Sequence, residues 1–194
     1  TGRGSHLQML NPSEREDVMH WQHDVSDRIA IKTTEAPQYR RIAIQRADAA
    51  DAGVPPEELA RPAERGELYH WLTNETARIM GEHAPNPRTP RPPMAINSGS
   101  GFAFVDHEGN VCPSGFLPIA VGNIRENPFD ELYRKTKVMK DLRSPDQFEG
   151  KCGVCGFNRI CGGSRATAYA MTGDYMAADP NCIYIPDAWA AKHS

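Results

Sequence analysis

An α+β chain in two parts is what the sequence predicts, and three observations carry that prediction. Helical patterns fill the first part. A hairpin signature and short capped helices fill the second, with five prolines between Pro85 and Pro93 separating the two. Four of the five cysteines then fall close together, as Cys152-Gly-Val-Cys155, Cys161 after five residues and Cys182 after twenty more. That spacing suits soft-metal ligation, because a two-residue gap lets one tight turn aim two sulfurs at a common point.

Bulk properties bound the answer. A chain of 194 residues with 39% hydrophobic content is long enough for one or two cores. A formal net charge of -3 gives no electrostatic reason to expect nucleic acid or an anionic membrane as a partner. No apolar run approaches the ~20 residues needed to span a bilayer. Clustered reduced thiols point to the cytoplasm. The chain begins at Thr1, so it is expected to be a processed product or a piece of something longer.

The elements follow in order. Asn11-Pro12-Ser13-Glu14 combines a capping residue, a proline at the first helical position and an acid in the first turn. Val18, Trp21, Val25 and Ile29 then recur at helical spacing, which predicts an amphipathic helix to about Arg28. His20 and His23 lie one turn apart on it, but no further ligand completes a metal site, so both read as ordinary helix histidines. The β-branched residues of 29–34 predict a strand ending before Pro37. Residues 38–46 fit either a strand or a helix, and Tyr39, Arg40 and Arg41 read as a solvated basic turn rather than an anion site. Residues 47–66 carry almost no apolar period and predict a surface insertion. Leu68, Trp71, Leu72, Ala77 and Ile79 restore a helical pattern over 67–82.

Beyond the prolines, Phe102-Ala-Phe104-Val105 and the run from Val111 flank Asp106-His107-Glu108-Gly109-Asn110, which predicts a hairpin with His107 as a solvated loop residue. Asn127-Pro128-Phe129-Asp130 reads as a capped helix start, with Phe129, Leu132, Thr136, Met139 and Leu142 on one face. Ser164 caps a last helix, Arg165 to Met171, stopped by Gly173.

The neighbours of the cysteines help to choose the metal. Gly153, Gly156, Gly162 and Gly163 let backbone N–H groups approach an inorganic cluster, and Lys151, Arg159 and Arg165 suit its negative charge. This chemistry favours iron–sulfur over structural zinc, which stays open as the alternative. A thioredoxin-like redox pair would need a strand before Cys152, and residues 149–151 are not one. A disulfide framework does not fit an odd cysteine count without a secretory signal.

Hairpin, Gly122-Asn-Ile124, capped helix, Cys152-x2-Cys155-x5-Cys161-Gly-Gly and a final Cys182 together resemble the SPASM domain, the auxiliary-cluster domain that follows the barrel of many radical SAM enzymes. The likeness covers about residues 98–194. Residues 113–118 and 172–180 are similar to the subgroup nearest the haem-modifying enzymes, as are the loops at 1–4 and 32–37. The resemblance implies that residues 1–95 are the C-terminal end of a partial (β/α) barrel with an insertion near 47–66 and a Pro-rich linker at 84–95. Residues 96–194 would then be a small SPASM-like auxiliary iron–sulfur domain.

By the family's scheme the ligands of one auxiliary [4Fe-4S] cluster are Cys152, Cys155, Cys161 and Cys182, the same four that the spacing groups. A second auxiliary cluster is not expected, since Asn127 and Ser164 stand where relatives carry cysteines, and Cys112 reads as a buried thiol. The loops after barrel strands face the active site, which makes Thr33, Thr34 and Glu35 candidates for cofactor or substrate contact. The Cys-x3-Cys-x2-Cys loop that binds S-adenosylmethionine on a further [4Fe-4S] cluster is absent from this sequence. The resemblance therefore implies an N-terminal radical SAM half as partner, an electron donor such as a ferredoxin or flavodoxin, and a tetrapyrrole or peptide substrate. Four thiolates leave no open iron, which favours electron relay or stapling for the auxiliary cluster. The rival reading is a zinc-stapled, non-catalytic interaction module.

Overall fold

The computed structural model describes residues 9–54, 65–81 and 94–193. The described residues up to Thr34, 38–81 and Asn181–Tyr184 form one unit; Glu35–Pro37, 94–180 and 185–193 form a second. Residues 84–93 of the Pro-rich linker and 55–64 of the predicted insertion lie outside the described residues.

In the first unit, α1 (Pro12–Val25) starts as predicted. The Asn11 side chain accepts the Glu14 N–H at 2.9 Å, and the Asn11 N–H donates to Glu14 Oε2 at 2.7 Å, a complete capping box. Residues 38–51 are helical, α2 (Gln38–Asp51), so the first stretch of the expected insertion is ordered helix with Ala49 buried. The third helix is α3 (Glu67–Met80). Its N-cap, Gly66, has no side chain, and Asp17 of α1 supplies the missing acceptor, its Oδ2 receiving the Tyr69 N–H at 3.4 Å while Oδ1 receives the Gly66 N–H at 2.8 Å.

Three expectations are corrected here. The strand predicted over 29–34 does not form, and among its described residues this unit holds no strand. A lone β-branched stretch without a partner cannot satisfy its backbone through a ladder. The buried face of α1 is also largely polar: Glu16, Asp17 and His20 are buried with Met19 and Val25, while Ile29 is exposed. Arg41 accounts for this, since its guanidinium, only 2% exposed, meets both Glu16 carboxylate oxygens at 2.5 and 2.7 Å and lies over the Tyr184 ring. Arg41 is therefore a core residue of a helix, not part of a solvated turn.

His20 is buried in the same layer, and its pKa is lowered to about 3 by burial first and then by Arg65, Arg46 and Arg41, with Asp24 opposing. Glu16 lies 3.8 Å from its Nε2. The folded pKa lies below the unfolded value, so the unfolded chain binds the extra proton between the two. The stability His20 contributes is full above pH 6.5 and is lost as pH falls toward about 3. Urea unfolding across that window should show a slope approaching about 1.4 kcal/mol per pH unit that His20→Gln flattens; an unchanged slope in the variant removes His20 as its source.

In the second unit, β1 (Phe104–Val105), β2 (Asn110–Cys112) and β3 (Gly122–Asn123) form an antiparallel sheet in that order. The predicted hairpin pairs Phe104 with Cys112 and Val105 with Val111, and Asp106 Oδ1 closes its turn by accepting the Glu108 and Asn110 N–H groups. The third strand was not foreseen; two residues are too short for a periodic signal. The helix expected after Asn127 is two helices, α4 (Phe129–Lys135) and α5 (Lys137–Leu142), and the N-cap of α4 is Pro128 with no side-chain bond. Thr136 breaks the run with extended backbone while its hydroxyl donates to the Leu132 carbonyl at 2.6 Å. The apolar face survives the break: Leu132 and Met139 pack on Val111, and Leu142 joins Leu117 and Ala166. Three further helices follow: α6 (Gly150–Gly153), α7 (Arg165–Thr172) and α8 (Asp187–His193). Ser164 caps α7 by accepting the Thr167 N–H, and Gly173 ends it, both as expected.

Candidate metal centre

Local geometry dictates where the thiols go. Cys152 sits on α6 and is buried. Gly153 follows it because a Cβ there would stand 1.9 Å from the Phe148 carbonyl oxygen, so only glycine lets this turn press against that backbone. Cys161 is buried in the loop before α7, and Cys155 is half-buried between them. All five cysteines are thiols.

Two of the sulfurs already receive donors. The Asp179 N–H reaches Cys152 Sγ at 3.4 Å, and Arg165 Nη2 lies 3.6 Å from the same atom. The Gly163 N–H reaches Cys161 Sγ at 3.4 Å. Gly163 links the two sulfurs: its φ is +69°, and a Cβ there would lie 3.2 Å from Cys152 Sγ, 2.7 Å from Arg165 Nη2 and 2.8 Å from Asp179 Cβ. Amide donors aimed at sulfur suit thiolates that carry a metal or cluster.

The loop is held from three sides. Asn97 Nδ2 donates to the Cys161 carbonyl at 2.8 Å. Asp179, fully buried, accepts the Ser164 N–H at 2.7 Å. Ser164 Oγ donates to Glu35 Oε2 at 3.1 Å, and Glu35 has a φ of +54°, a left-handed backbone unusual for a residue with a side chain. Asn97 and Asp179 were not singled out by the sequence. Their signal is no more than an Asn-Ser-Gly turn and an Asp-Pro pair, since each acts through contacts distant along the chain.

The remaining candidates fall as follows. Thr33 is half-buried and Thr34 exposed, both in the first unit; Glu35 belongs to the second. Cys182 is half-buried and belongs to the first unit with its neighbours 181–184. Among the described residues, no three or more His, Cys, Asp or Glu side chains stand close enough together to hold a metal ion. Cys112 is buried on β2, and burial together with the Asp106 carboxylate pushes its thiol pKa up, which keeps it neutral and hydrophobe-like. Of the three basic residues, Arg159 is exposed and paired with exposed Asp146, Lys151 is half-buried, and Arg165 is buried. No helix among the described residues is long and apolar enough to cross a membrane.

Known proteins supply the remaining comparison. No family model matches the chain, and no solved structure matches it significantly. It is 36% identical over 188 residues to a protein named AdoMet-dependent heme synthase from Methanosarcina barkeri, covering 96% of this chain and 46% of that protein. A protein of the same name from Nitratidesulfovibrio vulgaris is 35% identical over 190 residues, covering 96% of this chain and 44% of that one. A pre-heme d1 synthase from Dinoroseobacter shibae is 37% identical over 89 residues, covering 44% of this chain and 22% of that protein. The chain spans less than half the length of these relatives.

Proposed function

We propose, from the premise that this chain belongs to the radical SAM/SPASM haem-modifying subgroup, that it is the auxiliary-cluster portion of a radical SAM oxidoreductase acting on a tetrapyrrole. The observation that carries the cluster reading is the pair of amide donors on sulfur, the Asp179 N–H on Cys152 Sγ and the Gly163 N–H on Cys161 Sγ. Cys152, Cys155, Cys161 and Cys182 would hold one [4Fe-4S] cluster, which supplies one-electron redox chemistry when bound.

The chain's own residues do the rest. Asn97, Asp179 and Ser164 fix the loop that carries Cys161 and the Gly163 amide, and Gly163 keeps a side chain out of the space between Cys152 Sγ, Arg165 Nη2 and Asp179. Thr33 and Thr34 are proposed contacts for substrate or cofactor. Glu35, proposed with them, also ties its segment to the N-cap of α7 through Ser164. The helices α1–α3 are read as the end of a partial barrel. The S-adenosylmethionine site, with its own [4Fe-4S] cluster, belongs to an N-terminal half, and a ferredoxin or flavodoxin supplies electrons in the cytoplasm.

The chain purified anaerobically and reconstituted with iron and sulfide should be brown and hold about four irons and four sulfides. Cys152→Ser or Cys161→Ser should lose most of both. A colourless wild-type chain holding a single zinc ion would falsify the cluster reading and support the zinc-stapled alternative.

A further inference from the structure

Arg165 is 1% exposed, and its guanidinium is only partly used. Nη1 donates to the carbonyls of Tyr175 and Ala177 at 3.0 and 2.8 Å, Nη2 lies 3.6 Å from Cys152 Sγ, and Cζ lies 4.3 Å from the Phe148 ring centroid. Nε is buried without a hydrogen-bond partner among the described residues. A buried donor left unmade costs about 1–3 kcal/mol, more when it is charged, so an acceptor placed beside Nε and Nη2 would relieve that cost. Anchoring the 175–177 loop explains Nη1 alone. Arg159 offers a contrast, since it is exposed and paired with Asp146.

We propose that Arg165 is a positioning residue that binds the negative edge of the cluster held at Cys152 and raises its reduction potential. This rests on the cluster reading above. Nε–H and Nη2–H are the donors, and the acceptors are sulfurs of the cluster or its thiolates. A fixed positive charge in a low-dielectric site favours the more negative, reduced form over the oxidised one. Arg165 is buried at a candidate ligand sulfur, whereas Arg159 is exposed and paired with Asp146.

The test uses the reconstituted chain carrying guanidino-15N-arginine and reduced with dithionite. Electron–nuclear hyperfine spectra should show a 15N coupling that persists in Arg159→Lys and vanishes in Arg165→Lys. In a potentiometric titration followed by electron paramagnetic resonance, Arg165→Met should lower the reduction equilibrium constant at least tenfold, about 59 mV for a one-electron couple. Arg165→Lys should stay within about threefold of wild type, because the charge is kept. An iron-replete wild-type chain without arginine coupling overturns the proposal, as does an unchanged potential in iron-replete Arg165→Met. If the Met variant fails to retain iron, the wild-type coupling decides. A wild-type chain that binds no cluster overturns the reading beneath the proposal as well, and iron analysis separates that outcome from the others.

Discussion

Gly163→Ala is expected to strip the reconstituted chain of most of its iron and to destabilise the second unit by on the order of 2–5 kcal/mol. Two costs combine. The backbone at φ +69° is left-handed, which penalises any L-residue with a Cβ by about 1–2 kcal/mol. The methyl group would also enter a space where Arg165 Nη2, Asp179 Cβ and Cys152 Sγ all lie within 3.2 Å. Relief requires moving the guanidinium or the sulfur, and either motion breaks the donor arrangement around Cys152. Gly156→Ala is the control, because a Cβ there meets nothing within 4 Å. Iron and sulfide per chain, with urea unfolding of the apo chain, read both effects. A Gly163→Ala chain with wild-type iron content and stability would remove the close approach of these groups from the account.

Arg41→Met is expected to cost the first unit about 3–5 kcal/mol, the penalty for leaving a buried carboxylate without its cation. Glu16 is 4% exposed and Arg41 2%, and the two are joined through both carboxylate oxygens, so water cannot replace the lost partner without opening the helix pair. The double variant Glu16→Gln, Arg41→Met should recover much of that loss, since neither member is then a stranded charge. Chemical unfolding of the single and double variants gives the coupling directly. Equal destabilisation by the single and the double variant contradicts the expectation.

The same pair shows where sequence reasoning ran short. A helix-period pattern assigns apolar residues to the buried face, and for α1 it selected Val18, Trp21, Val25 and Ile29. The face that is buried includes Glu16, Asp17 and His20, because α2 answers Glu16 with Arg41 and the glycine-capped start of α3 answers Asp17 with its backbone N–H groups. Polar burial of this kind depends on a partner far along the chain, which periodicity does not see. The strand predicted at 29–34 failed for a related reason, since β-branched composition states a preference and pairing decides it.

At the candidate centre, the sequence located the cysteines, the glycines between them and the Ser164 cap. Which basic residue lies beside Cys152 Sγ, and that Asp179 and Asn97 contact the cysteine segments, came only from the packed structure.

What the sequence determined by itself is local chemistry: the capping box at Asn11, the hairpin around Gly109, the α7 caps and the thiol spacing from Cys152 onward. Each is encoded within one or two turns of chain, where propensity and hydrogen-bonding reach suffice. The tertiary structure decided which charges are buried, which sulfurs receive donors and which guanidinium stands at Cys152. Those outcomes are set by desolvation and close packing between segments distant in sequence, and both exist only once the chain has folded.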